Sequence, residues 1–435
     1  MSDVPNGVER LRAVDLGGVT PARSRHAGRR SAVELVDGLV IAGTAAGDVL
    51  AHDRTTLEER WRAGTATERT AVVSVESFGD GIAVGERGPD GAVRCYDVDT
   101  GELRWQYATA TDVGWPQKPS RVFLPFVVDV TADGDRLYVA SRRYERDGER
   151  SEPSGRASDE ERTASRDGER RSFTSAVYAF DERGDVVWTR GTDASPISID
   201  VDGRRLAVAY NRCPGTHQHG LVVLDAETGS VRWEWDPGTD GQRRVGDVSI
   251  VEGGVVVASH GDYCGYRLGD GGTEQWRVDL ATPTTIDGET LYAYPNHVHA
   301  TADGVVFVTG NTYSTDGRET ESLHPREHTA LGYTADGERV WTASVGGFVS
   351  ELGVDGDRVA VPSAQHFRTR DVDVHGLRLF ETERGVETSL ETAGVVAAVA
   401  LEGETVAAVE EPVVYYDDGT VRGNYRLLIT TTALG

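Results

Sequence analysis

The sequence predicts an all-β chain: an eight-bladed β-propeller of four-stranded blades, with the last blade closed by the N-terminal strand. Three observations predict it. A unit recurs in which a Val/Ile-rich strand leads to an acidic turn, then Gly, then a short strand holding Trp. The clearest copies are "YDVDTGELRW" (96–105), "FDERGDVVW" (180–188), "LDAETGSVRW" (224–233), "LGDGGTEQW" (268–276) and "YTADGERVW" (333–341). In compact copies the Trp-to-Trp interval is 43–45 residues, about one four-stranded blade. The two ends also complement each other. The tail supplies three strands of a last unit, and "GVERLRAVDL" (7–16) resembles its missing fourth, "GTEQWRVDL" (272–280).

Each element has a local cause. Segments such as "DGLVIAG" (37–43), "DGDRLYVAS" (133–141) and "DGVVFVTG" (303–310) are β-branched runs opened by Asp-Gly turns, a strand-and-hairpin signal. No long stretch carries a period of 3.6. "HDRTTLEERW" (52–61) lacks the Gly, and "FETERGVETS" (380–389) ends in Ser389 where Trp is expected. The whole chain, 1–435, reads as one propeller domain. Within it, 142–172 holds nine Arg, nine acidic residues and almost no aliphatic side chain, which predicts a disordered charged insertion in blade 3.

These repeats resemble the pyrroloquinoline-quinone-like (PQQ-like), quinoprotein-type family, a β-propeller class with blades like those of WD repeats. The resemblance implies that the Gly-then-Trp element locks neighbouring blades. It is specific for architecture and weak for function. Quinone dehydrogenases of the family are exported and carry an adjacent-cysteine disulfide over the cofactor. Cys95, Cys213 and Cys264 are far apart, so PQQ is not expected, and a quinone-dependent oxidoreductase is the least favoured reading.

The net charge is −26 and Lys118 is the single lysine. This acidic composition resembles proteins of salt-loving archaea, where a charged surface keeps a chain soluble although salt screens beyond about 3 Å at 1 M. It argues against nucleic acid as a partner. No apolar run reaches the roughly 18 residues of a membrane span. No export signal is read, and a cytoplasmic location is expected.

In such a ring the b–c loops and d–a connections share one face, and function sits on long loops. Ten of eleven histidines map to that face or the channel mouth. Imidazole, thiolate and carboxylate together suit a divalent transition metal. The candidate ligands are His297, His299, Asp247 and Glu351 on the channel strands, and His217, His219, Cys213, His260 and Cys264 on the loops. Loop Trp115 and Lys118, with Arg142, Arg143, Arg170 and Arg171 flanking the insertion, form the candidate interaction surface for a protein partner. No phosphate loop, GxSxG or catalytic set is legible. The favoured function is a non-catalytic interaction scaffold; the alternative is a metal-binding propeller, either a metal-dependent enzyme or a metal-handling accessory.

Overall fold

A computed structural model describes residues 11–23, 28–64, 68–118, 120–147, 170–415 and 419–432. Apart from the parallel pair Ala22–Arg23 and Val413–Val414, its strands pair antiparallel, mostly in groups of four that we number as blades. Blade 1 comprises Ala32–Val36, Leu39–Gly43, Val49–Asp53 and Glu59–Ala63. Blade 2 comprises Ala71–Phe78, Gly81–Arg87, Ala92–Asp97 and Leu103–Ala108. Blade 3 comprises Phe126–Asp133, Arg136–Asp147, Arg170–Phe180 and Val186–Thr192. Blade 4 follows as Ser195–Asp202, Arg205–Arg212, Leu221–Asp225 and Val231–Trp235. Blade 5 is Val245–Val251, Gly254–Ser259, Cys264–Gly269 and Glu274–Asp279. Blade 6 is Glu289–Ala300, Gly304–Ser314, Thr329–Thr334 and Arg339–Ser344. Blade 7 is Gly353–Asp355, Arg358–Ser363, Gly376–Glu381 and Gly385–Glu391. In the closing blade, Val395–Glu402, Thr405–Glu411 and Arg426–Thr431 are completed by Arg12–Asp15, paired from Arg12↔Ile429 to Asp15↔Arg426.

The core lies between blades. Val40, Ala42 and Leu50 of blade 1 pack with Ala407, Val409 and Leu427 of the closing blade. Equivalent clusters join blade 3 to blade 4, blade 5 to blade 6 and blade 6 to blade 7. A blade is therefore apolar on both faces and stable only between neighbours.

The tryptophans fix those neighbours. The indole N–H of Trp61 donates to the Val98 carbonyl in the next blade's turn (2.7 Å), and Trp188 to that of Ala226 (2.9 Å). Trp105, Trp276 and Trp341 repeat the bond to Glu182, Ala335 and Thr382. The ring face of each indole lies where the turn glycine would carry a side chain. A Cβ on Gly229, at φ +68°, would sit 2.6 Å from Trp188. The two irregular repeats now have a cause. Leu57 replaces the glycine of blade 1 at φ +61°, and the preceding blade brings no Trp there; Leu57 packs on the shared core instead. In blade 7 the ladder places Thr388, opposite Leu379, where the other blades place Trp, one residue before the Ser389 that the repeat spacing picks out; the next blade's c–d turn, which a Trp there would meet, is the junction of the chain ends.

Three features depart from the sequence reading. His297 and His299, expected on a channel strand of ordinary length, stand near the end of a twelve-residue one, and Thr284–Ile286 adds a further strand to that sheet. Ala22–Arg23, Val413–Val414 and Val421–Arg422 form a small separate sheet. The expected insertion also begins later. Arg142–Asp147 pairs with Arg170–Ser175, where Tyr144 and Phe173 lie opposite each other with ring centroids 5.4 Å apart. Residues 148–169 lie outside the described residues.

Gly229→Ala should destabilise the protein by about 2–4 kcal/mol, combining left-handed strain with overpacking against Trp188. Gly238→Ala, at φ +78° with nothing within 4 Å, should cost about 1 kcal/mol. Chemical denaturation of the two variants checks the difference.

Candidate functional site: the channel and its mouth

The inner strands share one irregularity. Pairing skips a residue before Ser74, Asp129, Ser198, Asp247 and His297. Such a bulge re-aims the side chain that follows it. Here it turns polar side chains toward the inner edge of the blade, whose N–H groups have no further strand to bond. Asp129 accepts from its own Val130 N–H (3.1 Å) and from Ile199 N–H of blade 4 (3.0 Å). Asp200 accepts from Val201 and from Ile250 of blade 5 (2.6 Å). Asp247 accepts from Val248 and from Val298 of blade 6 (2.9 Å). Glu76 reaches Ala132, and Glu351 reaches Val399. Each carboxylate thus ties its blade to the next. Burial pushes Asp129 and Asp200 up to about 6 and Glu34 to about 7.

The candidate channel ligands occupy this clamp system. His297 Nδ1 is 3.7 Å from Asp247, and its Nε2 meets the Val349 carbonyl at 3.1 Å. His299 meets the Gly356 carbonyl at 2.8 Å. Gly356 lies in an a–b turn, so His299 sits toward the short-turn end of the channel, not the long-loop end expected for it. Glu351 pairs with Arg29 at 3.3 Å. The loop ligands lie elsewhere. His217 lies against Tyr210, tilted with ring centroids 4.5 Å apart, and bonds the His219 carbonyl, while His219 faces Glu234 at 3.3 Å. Cys213 and Cys264 are buried free thiols, raised by burial to about 12 and about 11. The sequence-predicted ligands therefore fall into separate groups.

His260 belongs to a chain of side chains at the channel mouth. Arg243 donates to Asn211 Oδ1, Asn211 Nδ2 donates to His260 Nδ1 (3.3 Å), and His260 Nε2–H donates to Asn296 Oδ1 (3.2 Å). Both imidazole nitrogens are occupied. Burial, reinforced by the Arg243 charge, holds this histidine well below its usual value.

Around this chain opens a cavity of about 850 Å³, lined by Arg87, Phe126, Arg142, Arg243 and Tyr294 among others. A side chamber of about 630 Å³ shares the first four and adds Arg171 and Arg212. Guanidiniums and rings alternate: Arg87 lies 3.8 Å over Phe126, and Arg243 lies 4.9 Å over Tyr294. The series Phe126, Phe173, Tyr144, Phe123 continues outward to Lys118, 5.5 Å over Phe123. Only Arg142 and Arg171 of these arginines were singled out from sequence. The missed signal is positional: Arg87 and Arg212 end the second strands of blades 2 and 4, and Arg142 stands six residues into the longer second strand of blade 3, as Arg87 does in blade 2.

The Trp115 loop is pinned beside this mouth. It leaves the short helix Ala110–Val113, and Arg143 donates to the carbonyls of Val113 (2.7 Å) and Trp115 (3.3 Å). Arg143 also pairs with Glu145, so its role is to hold the loop. Trp115 is 57% and Val122 61% exposed. Arg170 pairs with Asp147 in the ladder.

Among the described residues one set of three metal-type ligands converges, with ligating atoms within 4.8 Å of one another: Glu327, His328 and His366. None was a sequence-stated ligand, because Glu327 is one acid among many. His328 Nε2–H donates to Asn311 (2.9 Å), leaving its buried Nδ1 without a partner. His366 Nδ1 accepts from the Arg368 and Thr369 N–H groups (3.4 and 3.3 Å), which puts its proton on Nε2, facing Glu327 at 3.5 Å.

The family profile described as outer membrane protein assembly factor BamB matches residues 21–143 and 174–283. No curated protein matches the sequence. Among solved structures, BamB from Moraxella catarrhalis is similar with TM-score 0.54 and 15% identity over 97% of this chain and 98% of that one. The computationally designed Ika8 protein gives 0.56 and 12% over 93% and 99%. A europium-containing methanol dehydrogenase gives 0.55 and 11% over 98% and 93%. At these identities the structures share the fold.

The channel acids set a pH dependence. Their folded values are raised, so between about pH 4 and 6 these acids hold protons in the native chain that they have lost in the unfolded one, and their contribution to stability rises as pH falls from 7 to 5, against the opposite contribution of histidines such as His260 and His328 that burial holds low. Asp129→Asn with Asp200→Asn should flatten that rise in denaturation curves, and Asp200→Ala should cost about 1–3 kcal/mol at pH 7 through its orphaned amides.

Proposed function

The chain belongs to the BamB-described, PQQ-like propeller family, and from that premise we propose that it is a non-catalytic scaffold, a ring of eight blades that docks a protein partner on its long-loop face. The family profile is described as an outer membrane protein assembly factor, which supports a role in protein interaction, and no helix among the described residues is long and apolar enough to cross a membrane. One observation carries the reading. Trp115 and Val122 project an exposed apolar anchor from a loop that Arg143 has already fixed in place. A preordered aromatic anchor loses little entropy on binding. Lys118 and the arginine-rich mouth beside it suit a partner with acidic groups around an apolar contact.

A second reading is a metal-binding propeller, favoured by the orphaned Nδ1 of His328 between Glu327 and His366. For the set to ligate, the His366 proton would move from Nε2 to Nδ1, giving up the bonds that Nδ1 accepts from the Arg368 and Thr369 N–H groups.

Affinity capture from a lysate of the source organism should return a partner at near-equal stoichiometry. Trp115→Ala should weaken it by more than about tenfold, the loss of a hot-spot contact, with the melting temperature unchanged. Equal recovery by the variant would remove the loop from the interface. Zinc titration by calorimetry, with His328→Ala as control, checks the metal reading: a one-to-one site lost in the variant supports it, and no heat removes it.

A further inference from the structure

The channel mouth holds positive charge that nothing else in the described residues neutralises. Arg87, Arg142 and Arg212 come from the second strands of blades 2, 3 and 4, and Arg243 from the connection into blade 5. All four face one continuous space. No described carboxylate lies within 4.0 Å of any of their guanidiniums. Acids are not scarce, since the chain has 71 against 45 basic residues. Elsewhere the same chain pairs its buried arginines: Arg30 with Glu411 (2.7 Å), Arg94 with Glu86 (3.1 Å) and Arg244 with Asp236 (2.6 Å). At the mouth four arginines come together without such a partner.

Leaving desolvated guanidiniums together is unfavourable, both through lost hydration and through mutual repulsion. Burial first, then the neighbouring arginines, lower Arg87 to about 9 and Arg142 and Arg212 to about 10. Their groups are nevertheless held in fixed poses. Phe126 underlies Arg87, Tyr294 underlies Arg243, Asn211 accepts from Arg243, and Ser195 accepts from Arg142. A like-charge cluster kept rigid at a loss of stability is the arrangement of a binding site whose counter-charge arrives with the ligand.

We propose that the mouth binds a small polyanion carrying two or more phosphate or carboxylate groups. The guanidinium fork suits either group. The chamber that all four arginines line, about 630 Å³ and with no carboxylate among its lining residues, has the size of a small-molecule site; the deeper cavity of about 850 Å³ runs on from it to the channel acids Asp129, Asp200, Asp247 and Glu351. The cluster is recessed rather than spread along a surface groove, which favours a compact ligand over a polymer backbone. The site goes beyond the scaffold reading and does not depend on it: it needs neither Trp115 nor a protein partner.

The test is calorimetry on the full chain in molar KCl, with inorganic triphosphate and citrate as separate probes. One site per chain is expected for at least one probe, with affinity reduced at least tenfold in Arg142→Gln and in Arg243→Gln. Arg104→Gln, which alters an outer arginine paired with Asp80 and Asp97, should bind like the parent. Triphosphate alone binding assigns phosphate esters; citrate alone assigns polycarboxylates. Without ligand, the two mouth variants should melt at or above the parent temperature, since repulsion is relieved. Absence of heat from both probes at millimolar concentration overturns the proposal, as does equal affinity in the two mouth variants. Loss of affinity with melting several degrees lower overturns it too, because the arginines are then part of the framework. Binding by a variant lacking residues 148–169, with none by the parent, also overturns it and assigns the counter-charge to the chain's own insertion.

Discussion

A blade of this protein has no interior of its own, so everything rests on how one blade grips the next. The outer grip is an indole laid on a glycine turn, its N–H bonded to the carbonyl there. The inner grip is a channel carboxylate bonded to the exposed amide edge of the neighbouring blade. The two grips bracket the apolar layers between blades. Together they turn a set of marginal four-stranded sheets into one ring.

The inner grip decides how the channel is read. A polar passage with aspartates, glutamates and histidines invites a metal-centred interpretation. The bonds those groups make are instead structural, because inner-edge amides have no further strand to meet. The mouth differs in kind. Its arginines, asparagines and aromatic rings are organised among themselves and face open space, with charge left over. Framework chemistry and binding chemistry thus occupy different levels of the same channel.

The repeat made most of the fold legible. Gly-then-Trp spacing located the blades, and the similarity of the two chain ends located their closure. Even Leu57 and the missing Trp of blade 7, the irregular positions, become intelligible once the junction of the termini is placed. The site was harder to read. His297 and His299 were visible as a pair facing one way, but not the carbonyls of Val349 and Gly356 that engage them. Arg87, Arg212 and Arg243 were invisible because each is ordinary in its own strand. Only the ring brings them together, and only the absence of nearby carboxylates distinguishes them from surface arginines. Sequence periodicity reports which face a residue occupies; it does not report which partner it lacks.

The central claim is that channel carboxylates act as hydrogen-bonding clamps between blades. Residue-resolved amide hydrogen exchange tests it most directly. The N–H groups of Ile199, Ile250 and Val298 point away from their own sheets, toward carboxylates of the preceding blades. The account predicts that they exchange as slowly as amides inside the sheet ladders. Exchange at the rate of solvent-exposed edge amides would contradict it, and would return the channel acids to the list of groups free to bind something else.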